Sequence, residues 1–279
     1  MIEWMAAPFA YAFMQRGLLA ALMVGVLCAV IGCYVVLRSM AFLGDAMAHA
    51  VLPGVAVAYL LNGNLTLGAL AAALVVALGI GFLSRQGTIK EDTAIGILFS
   101  AALSLGIVLI SSIRTYAVDL SHILFGNVLG VSSADLWLTA VLGAAILLIT
   151  FLAYKPFLLI SFDPVLAATL RLRVELFRNL LLMLLALTIV VSMQTVGVGL
   201  AAAMLVTPGA TAYLLSRRLP VMMGISAGLG AAASVIGLYA SYYLNVASGA
   251  AIVLTATLFF LLVFLLAPRR GLVWEKLRR

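Results

Sequence analysis

Long apolar runs separated by short polar turns make up most of this chain. Nine of them fall at about 16–37, 43–61, 65–84, 93–113, 132–154, 178–195, 197–216, 221–243 and 249–267. Each approaches the ~20 residues that carry an α-helix across a ~30 Å hydrocarbon layer. The pattern predicts an all-α, polytopic membrane bundle of nine helices, or eight if one span is broken or re-entrant. Turns such as Asn62-Gly63-Asn64 and the Gln194 to Gly197 stretch are very short. One transmembrane domain is expected over residues 1–279, with neither an internal repeat nor a low-complexity linker.

Composition points the same way. The chain is 66% hydrophobic and 9% charged, whereas soluble domains are about a quarter charged. A soluble fold of this length cannot hide so much apolar surface, so the bilayer acts as solvent. The net charge of +7 would suggest anionic partners in a soluble protein. Here the basic residues sit in short loops, a topological pattern, and no nucleic-acid partner is expected. Of the 16 Lys and Arg, all but Arg16 and Arg114 fall on one side. That side is expected to be cytoplasmic, with the C-terminus inside, the N-terminus outside and the chain in the bacterial inner (plasma) membrane. No cleavable signal peptide is evident. Cys28 and Cys33 lie on different faces of the first span and read as packing residues. Gly224 and Gly228 form a small-xxx-small pair that reads as helix packing.

The stretch 43–59, LGDAMAHAVLPGVAVAY, carries the most chemistry. Asp45 and His49 are the carboxylate and imidazole placed inside a span, where ionisable groups are expensive and mark pathways or ion sites. Their i, i+4 spacing puts them on one helix face. An imidazole nitrogen and a carboxylate oxygen there suit a first-row divalent metal better than an alkali ion. Two alternatives stay open at this point: an Asp–His ion pair without metal, and Asp45 capping a helix that begins at Ala46. Two ligands are too few for a selective site, so a two-fold homodimer bringing both pairs to its axis is expected. Pro53 and Pro208 remove helical donors to the carbonyls of His49 and Met204, and both are expected to break their helices beside a polar cavity.

Two further segments stand out. The connection 155–177 has Asp163 and Pro164 as an N-cap and first helical residue. Val165, Leu166 and Leu170 then alternate with Arg171, Arg173 and Glu175, as in a short helix along the cytoplasmic face. It either docks a soluble partner or rests on lipid. On the other side, Asp119 and His122 are three apart and form either an extracellular ion-loading site or a polar turn.

The chain has no G-x-x-x-x-G-K-[ST] loop, so ATP binding by a P-loop is not expected, and no H-E-x-x-H zinc-protease signature. No regular arginine ladder suggests a voltage sensor. A secondary metal transporter or channel, and a non-transporting scaffold or sensor, stay open on these features alone.

Several stretches resemble the membrane permeases of bacterial ABC importers for manganese, zinc and iron. They are GCYVVLRSMAFLGDAMAHAVLPGVAVAY, DTAIGILFSAALSLGIVLIS, DLSHILFGNVLGV, SFDPVLAATLRLRV, MQTVGVGLAAAMLVTPGATAYL and SGAAIVLTATLFFL, covering about 30–267. The resemblance implies a fold similar to cobalamin-type importer permeases. It implies a permease homodimer, two cytoplasmic ATP-binding subunits and an extracytoplasmic metal-binding protein. The permease would not be an enzyme, would hold no permanent cofactor, and would leave ATP hydrolysis to its partners. Metal contacts are implied at Asp45 and His49, and ATPase coupling at Asp163, Pro164, Ala167, Leu170 and Arg171. DLSHILFGN is closer to the manganese permeases than to the zinc ones, which often differ at His122 and Asn127, so manganese is favoured, with zinc and iron open. Where the family often carries glycine this chain has Arg171, which suggests that a turn there is replaced by continued helix.

Overall fold

The structure is a computed structural model that describes residues 11–85, 89–112 and 128–267. Asp119 and His122 lie outside the described residues. The described chain is helical, in the order α1 (Ala12–Leu37), α2 (Leu43–Ala50), α3 (Leu52–Leu60), α4 (Leu65–Ser84), α5 (Glu91–Ser111), α6 (Ser133–Leu152), α7 (Tyr154–Phe162), α8 (Pro164–Thr169), α9 (Val174–Val196), α10 (Val198–Leu215), α11 (Leu219–Leu244) and α12 (Ser248–Leu266). A short 3₁₀ turn, Val128–Gly130, precedes α6. With α2 and α3 taken together as Leu43–Leu60, nine spans among the described residues are long and apolar enough to cross a membrane.

The second span is the broken one. The helix is interrupted at Val51, two residues before Pro53, whose missing N–H leaves the His49 carbonyl without its i+4 donor. The Val51 N–H turns back to the His49 carbonyl instead. Pro208 behaves differently from expectation, because α10 runs straight through it. There the Thr211 hydroxyl donates to the Thr207 carbonyl at 2.7 Å, and Gly209 lies against the Gly32 backbone.

Three spans form the core. In the most apolar window of α1, of α2–α3 and of α9, 67% of residues are buried, against 22% in α5 and α6. Around α1 lie α11, α10, α6 and α9. Glycine sets the close approaches. A Cβ on Gly32 would run into the Leu205 carbonyl, and one on Gly54 into the carbonyl of Gly68 on α4. Backbones in contact gain dispersion that lipid cannot replace. Two hydroxyls tie α11 to α1: Ser226 donates to the Ala29 carbonyl and Ser234 to that of Ala21, both at 2.9 Å. Cys28 and Cys33 are free and buried. Gly224 and Gly228, by contrast, meet nothing within 4 Å, so they face outward and do not pack within this chain. The outer surface carries large apolar side chains such as Phe82, Trp137 and Phe151, as a lipid-facing wall requires.

Four turns share one chemistry. Ser39, Asn62, Arg171 and Asn245 take left-handed backbone with φ of 57°, 49°, 59° and 52°. After each, the next residue's N–H reaches back five positions: Met40 to Val35, Gly63 to Ala58, Leu172 to Ala167 and Val246 to Ser241. This is the Schellman helix ending, usually made with glycine.

Candidate functional site

Asp45 and His49 sit on α2, whose Leu43, Gly44, Ala46, Met47, Ala48 and Ala50 are buried. The two are the face left open: the Asp45 side chain is 60% exposed and that of His49 32%. The i, i+4 spacing brings Nε2 of His49 to 3.6 Å from Oδ1 of Asp45. That is longer than a hydrogen bond. Two ligands at ~2.1 Å from one ion, at angles of 90–110°, are about 3.0–3.4 Å apart, so a few tenths of an ångström of side-chain motion would let both bind one ion. The helix begins at Leu43, with Phe42 as N-cap and no side-chain cap, so Asp45 does not cap a helix starting at Ala46. No described group of three or more His, Cys, Asp and Glu residues is arranged to hold a metal.

Depth follows from the neighbouring helix. Phe99 on α5 lies against the His49 ring, centroids 6.1 Å apart. It is eight residues past Glu91, hence about 12 Å along the helix from its start. In a ~30 Å apolar layer the pair lies well inside. A residue such as Phe99 escapes sequence reasoning, because the i, i+4 rule relates positions on one helix and says nothing of a ring delivered by another.

The segment expected to meet an ATPase divides in two. Asp163 caps α8, its Oδ1 accepting from the N–H groups of Val165 at 3.0 Å and Leu166 at 2.9 Å, and Pro164 stands at the first turn. Ala167 is fully buried, while Phe162, Val165, Leu166 and Leu170 are exposed. The helix does not continue to Glu175. It stops at Thr169, Arg171 adopts the left-handed turn itself, and Glu175 begins the next span, α9. The expected loss of the turn is thereby corrected: the backbone takes the glycine-like conformation and the Arg171 side chain bears the strain. Residues 155–162, read as connection, belong to α7 (Tyr154–Phe162).

Between these segments lies a cluster of buried charge. Arg38, at the end of α1, donates to Glu91 Oε1 at 2.5 Å. Arg178 on α9 donates to Glu175 at 2.5 Å and to the Gly81 carbonyl of α4 at 2.9 Å. Its Nε is 3.9 Å from the same Glu91 oxygen. Burial pushes the Arg38 guanidinium below its ordinary pKa, and the Glu91 carboxylate draws it back.

Comparison with known proteins adds the context of this geometry. The sequence matches the ABC 3 transport family over residues 10–267. It is 50% identical over 263 residues to the manganese transport system membrane protein MntC of Halalkalibacterium halodurans, covering 94% of this chain and 90% of that one. It is 43% identical over 262 residues to a protein of Haemophilus influenzae named for iron transport, covering 94% and 96%. In structure it superposes on PsaBC from Streptococcus pneumoniae, solved in complex with Fab, with a TM-score of 0.86, 43% identity and full coverage of both chains.

Proposed function

This chain belongs to the ABC 3 transport family, and we propose that it is the membrane permease of an ATP-driven bacterial importer whose substrate is the divalent manganese ion. The observation that carries the ion path is the Asp45–His49 pair, open on one side of a buried helix and 3.6 Å apart. Manganese is favoured because the relative named for it is 50% identical and the one named for iron 43%.

In this reading two copies of the permease face each other across a two-fold axis. Each supplies one carboxylate and one imidazole, and together they offer four ligands to an ion that neither copy can hold alone. An extracytoplasmic binding protein delivers the ion, and the inner-membrane permease receives it with its C-terminus in the cytoplasm and its N-terminus outside. Two ATP-binding subunits sit on the exposed apolar rim of Phe162, Val165, Leu166 and Leu170, and their closure moves α8 and switches access between the two sides. Asp119 and His122 are assigned to the outer loading side. The permease itself makes and breaks no covalent bond; ATP is consumed on the partners.

The test is uptake into vesicles holding the permease, its ATPase and its binding protein, with manganese, zinc and iron supplied in turn. Manganese uptake that requires ATP is the expected result. Uptake that persists without the ATPase would identify a secondary transporter. Preference for iron or zinc over manganese would overturn the substrate assignment alone.

A further inference from the structure

The charged cluster at the cytoplasmic ends of α1, α4, α5 and α9 is one that the transport reading has not used. Its centre is Glu91, reached by Arg38 at 2.5 Å and by Arg178 at 3.9 Å. All three are largely buried: the side chains of Arg38, Arg178 and Glu91 are 10%, 12% and 21% exposed. Buried ion pairs are poor devices for stability alone, since their desolvation offsets their attraction. A role in registry or switching is the better-attested use of such groups.

Position supplies the role. Arg38 and Asp45 are seven residues apart, joined by the left-handed Ser39 turn and the start of α2. Glu91 and Phe99 are eight apart on one helix, and Phe99 lies against His49. The Arg38–Glu91 bond therefore ties together the two segments that carry the ion pair and its aromatic neighbour. Arg178 belongs to α9, which follows α8 directly after the Arg171 turn. On the other side of the cluster is a cavity of about 320 Å³ lined by Arg38, Glu91, Ser161, Arg178 and, from the first turn of α8, Pro164.

The cluster is also built to rearrange. Arg38 holds Glu91 through one nitrogen, and its other terminal nitrogen is buried without a hydrogen-bond partner, as is Nε of Arg178. A guanidinium with spare donors beside an empty volume can change partners with little loss.

We propose that Arg38, Glu91 and Arg178 are positioning residues that transmit movement of α8 to Asp45 and His49, holding the ion's ligands together in one access state and parting them in the other. This rests on the reading of Asp45 and His49 as the ion's path.

The experiment uses the complete reconstituted transporter and reads manganese uptake per ATP hydrolysed, with hydrolysis stimulated by the binding protein as the check on assembly. Glu91→Gln and Arg38→Gln are expected to hydrolyse ATP yet lose about tenfold in uptake per ATP, within the ordinary range of coupling between sites. Arg38→Lys, which keeps the single charged donor, is expected to retain coupling. Ser161→Leu fills the cavity without touching a charge and is expected to lower uptake per ATP as well, which keeps the proposal testable if a charge variant fails to assemble. Unchanged uptake per ATP in both Glu91→Gln and Ser161→Leu would overturn the proposal, as would a fall of uptake and hydrolysis together in every variant. Asp45→Asn, run in parallel, separates the two readings. If it transports normally, the ion-path assignment fails. If it is inactive while Glu91→Gln and Ser161→Leu both stay fully coupled, only the positioning role fails.

Discussion

Arg171 occupies a backbone conformation that disfavours every side chain with a Cβ, at a φ of 59°, and such a residue costs of order 1–2 kcal/mol relative to an ordinary helix ending. Arg171→Gly is therefore expected to stabilise the folded permease by about 1 kcal/mol, visible as a Tm raised by about 2 °C in detergent. A lowered Tm would mean that the side chain makes a contact worth more than the strain. At the other end of the same short helix, Asp163→Ala removes an acceptor for two backbone N–H groups. It should cost about 1 kcal/mol locally, and hydrogen exchange at Val165 and Leu166 should accelerate while the spanning helices are unaffected. The Asp–His pair was legible in the sequence because ionisable residues inside an apolar run stand out and because i, i+4 spacing fixes a shared face. Arg171 misled, because a non-glycine residue in a Schellman turn looks in sequence like one more helical position.

Among the elements, the spans were legible nearly to their ends because bilayer thickness imposes a length that composition alone reveals. The sixth span is the instructive exception. It was expected from residue 178 and begins at Val174. Arg178 marked the expected start of the span, yet the helix begins a turn earlier, with the Arg178 charge held by Glu175 and the Gly81 carbonyl. Helix α7 was missed for the opposite reason: nine residues are too few to resemble a span. Pro208 lacked any sequence mark to separate it from Pro53, yet α10 continues through it while the second span breaks. Packing at this scale makes a sharp contrast. Gly32→Ala places a methyl against the Leu205 carbonyl, a backbone atom that cannot move aside. It should abolish recovery of monodisperse permease, whereas Gly224→Ala, with open space around it, should leave the fold intact. Equal recovery of both would show that α1 and α10 can separate at little cost.

At the scale of the whole molecule, a lipid-facing wall of large apolar side chains surrounds a buried core of α1, α2–α3 and α9, and the α2 face with Asp45 and His49 remains uncovered within one chain. A polar face left open at membrane depth needs a partner, and the proposed homodimer would supply one. Asp45→Cys is thus expected to cross-link between two copies with a short bifunctional thiol reagent, since the two native cysteines are buried; products confined to single chains would place the pathway elsewhere. The most direct test of the account is metal uptake by the reconstituted transporter with Asp45→Ala, His49→Ala and the double variant. The account predicts that uptake falls to background in all three while the complex still assembles and its partners still hydrolyse ATP. Uptake at the normal rate in the double variant would contradict it, and would make the pair a structural ion pair with the ion passing elsewhere.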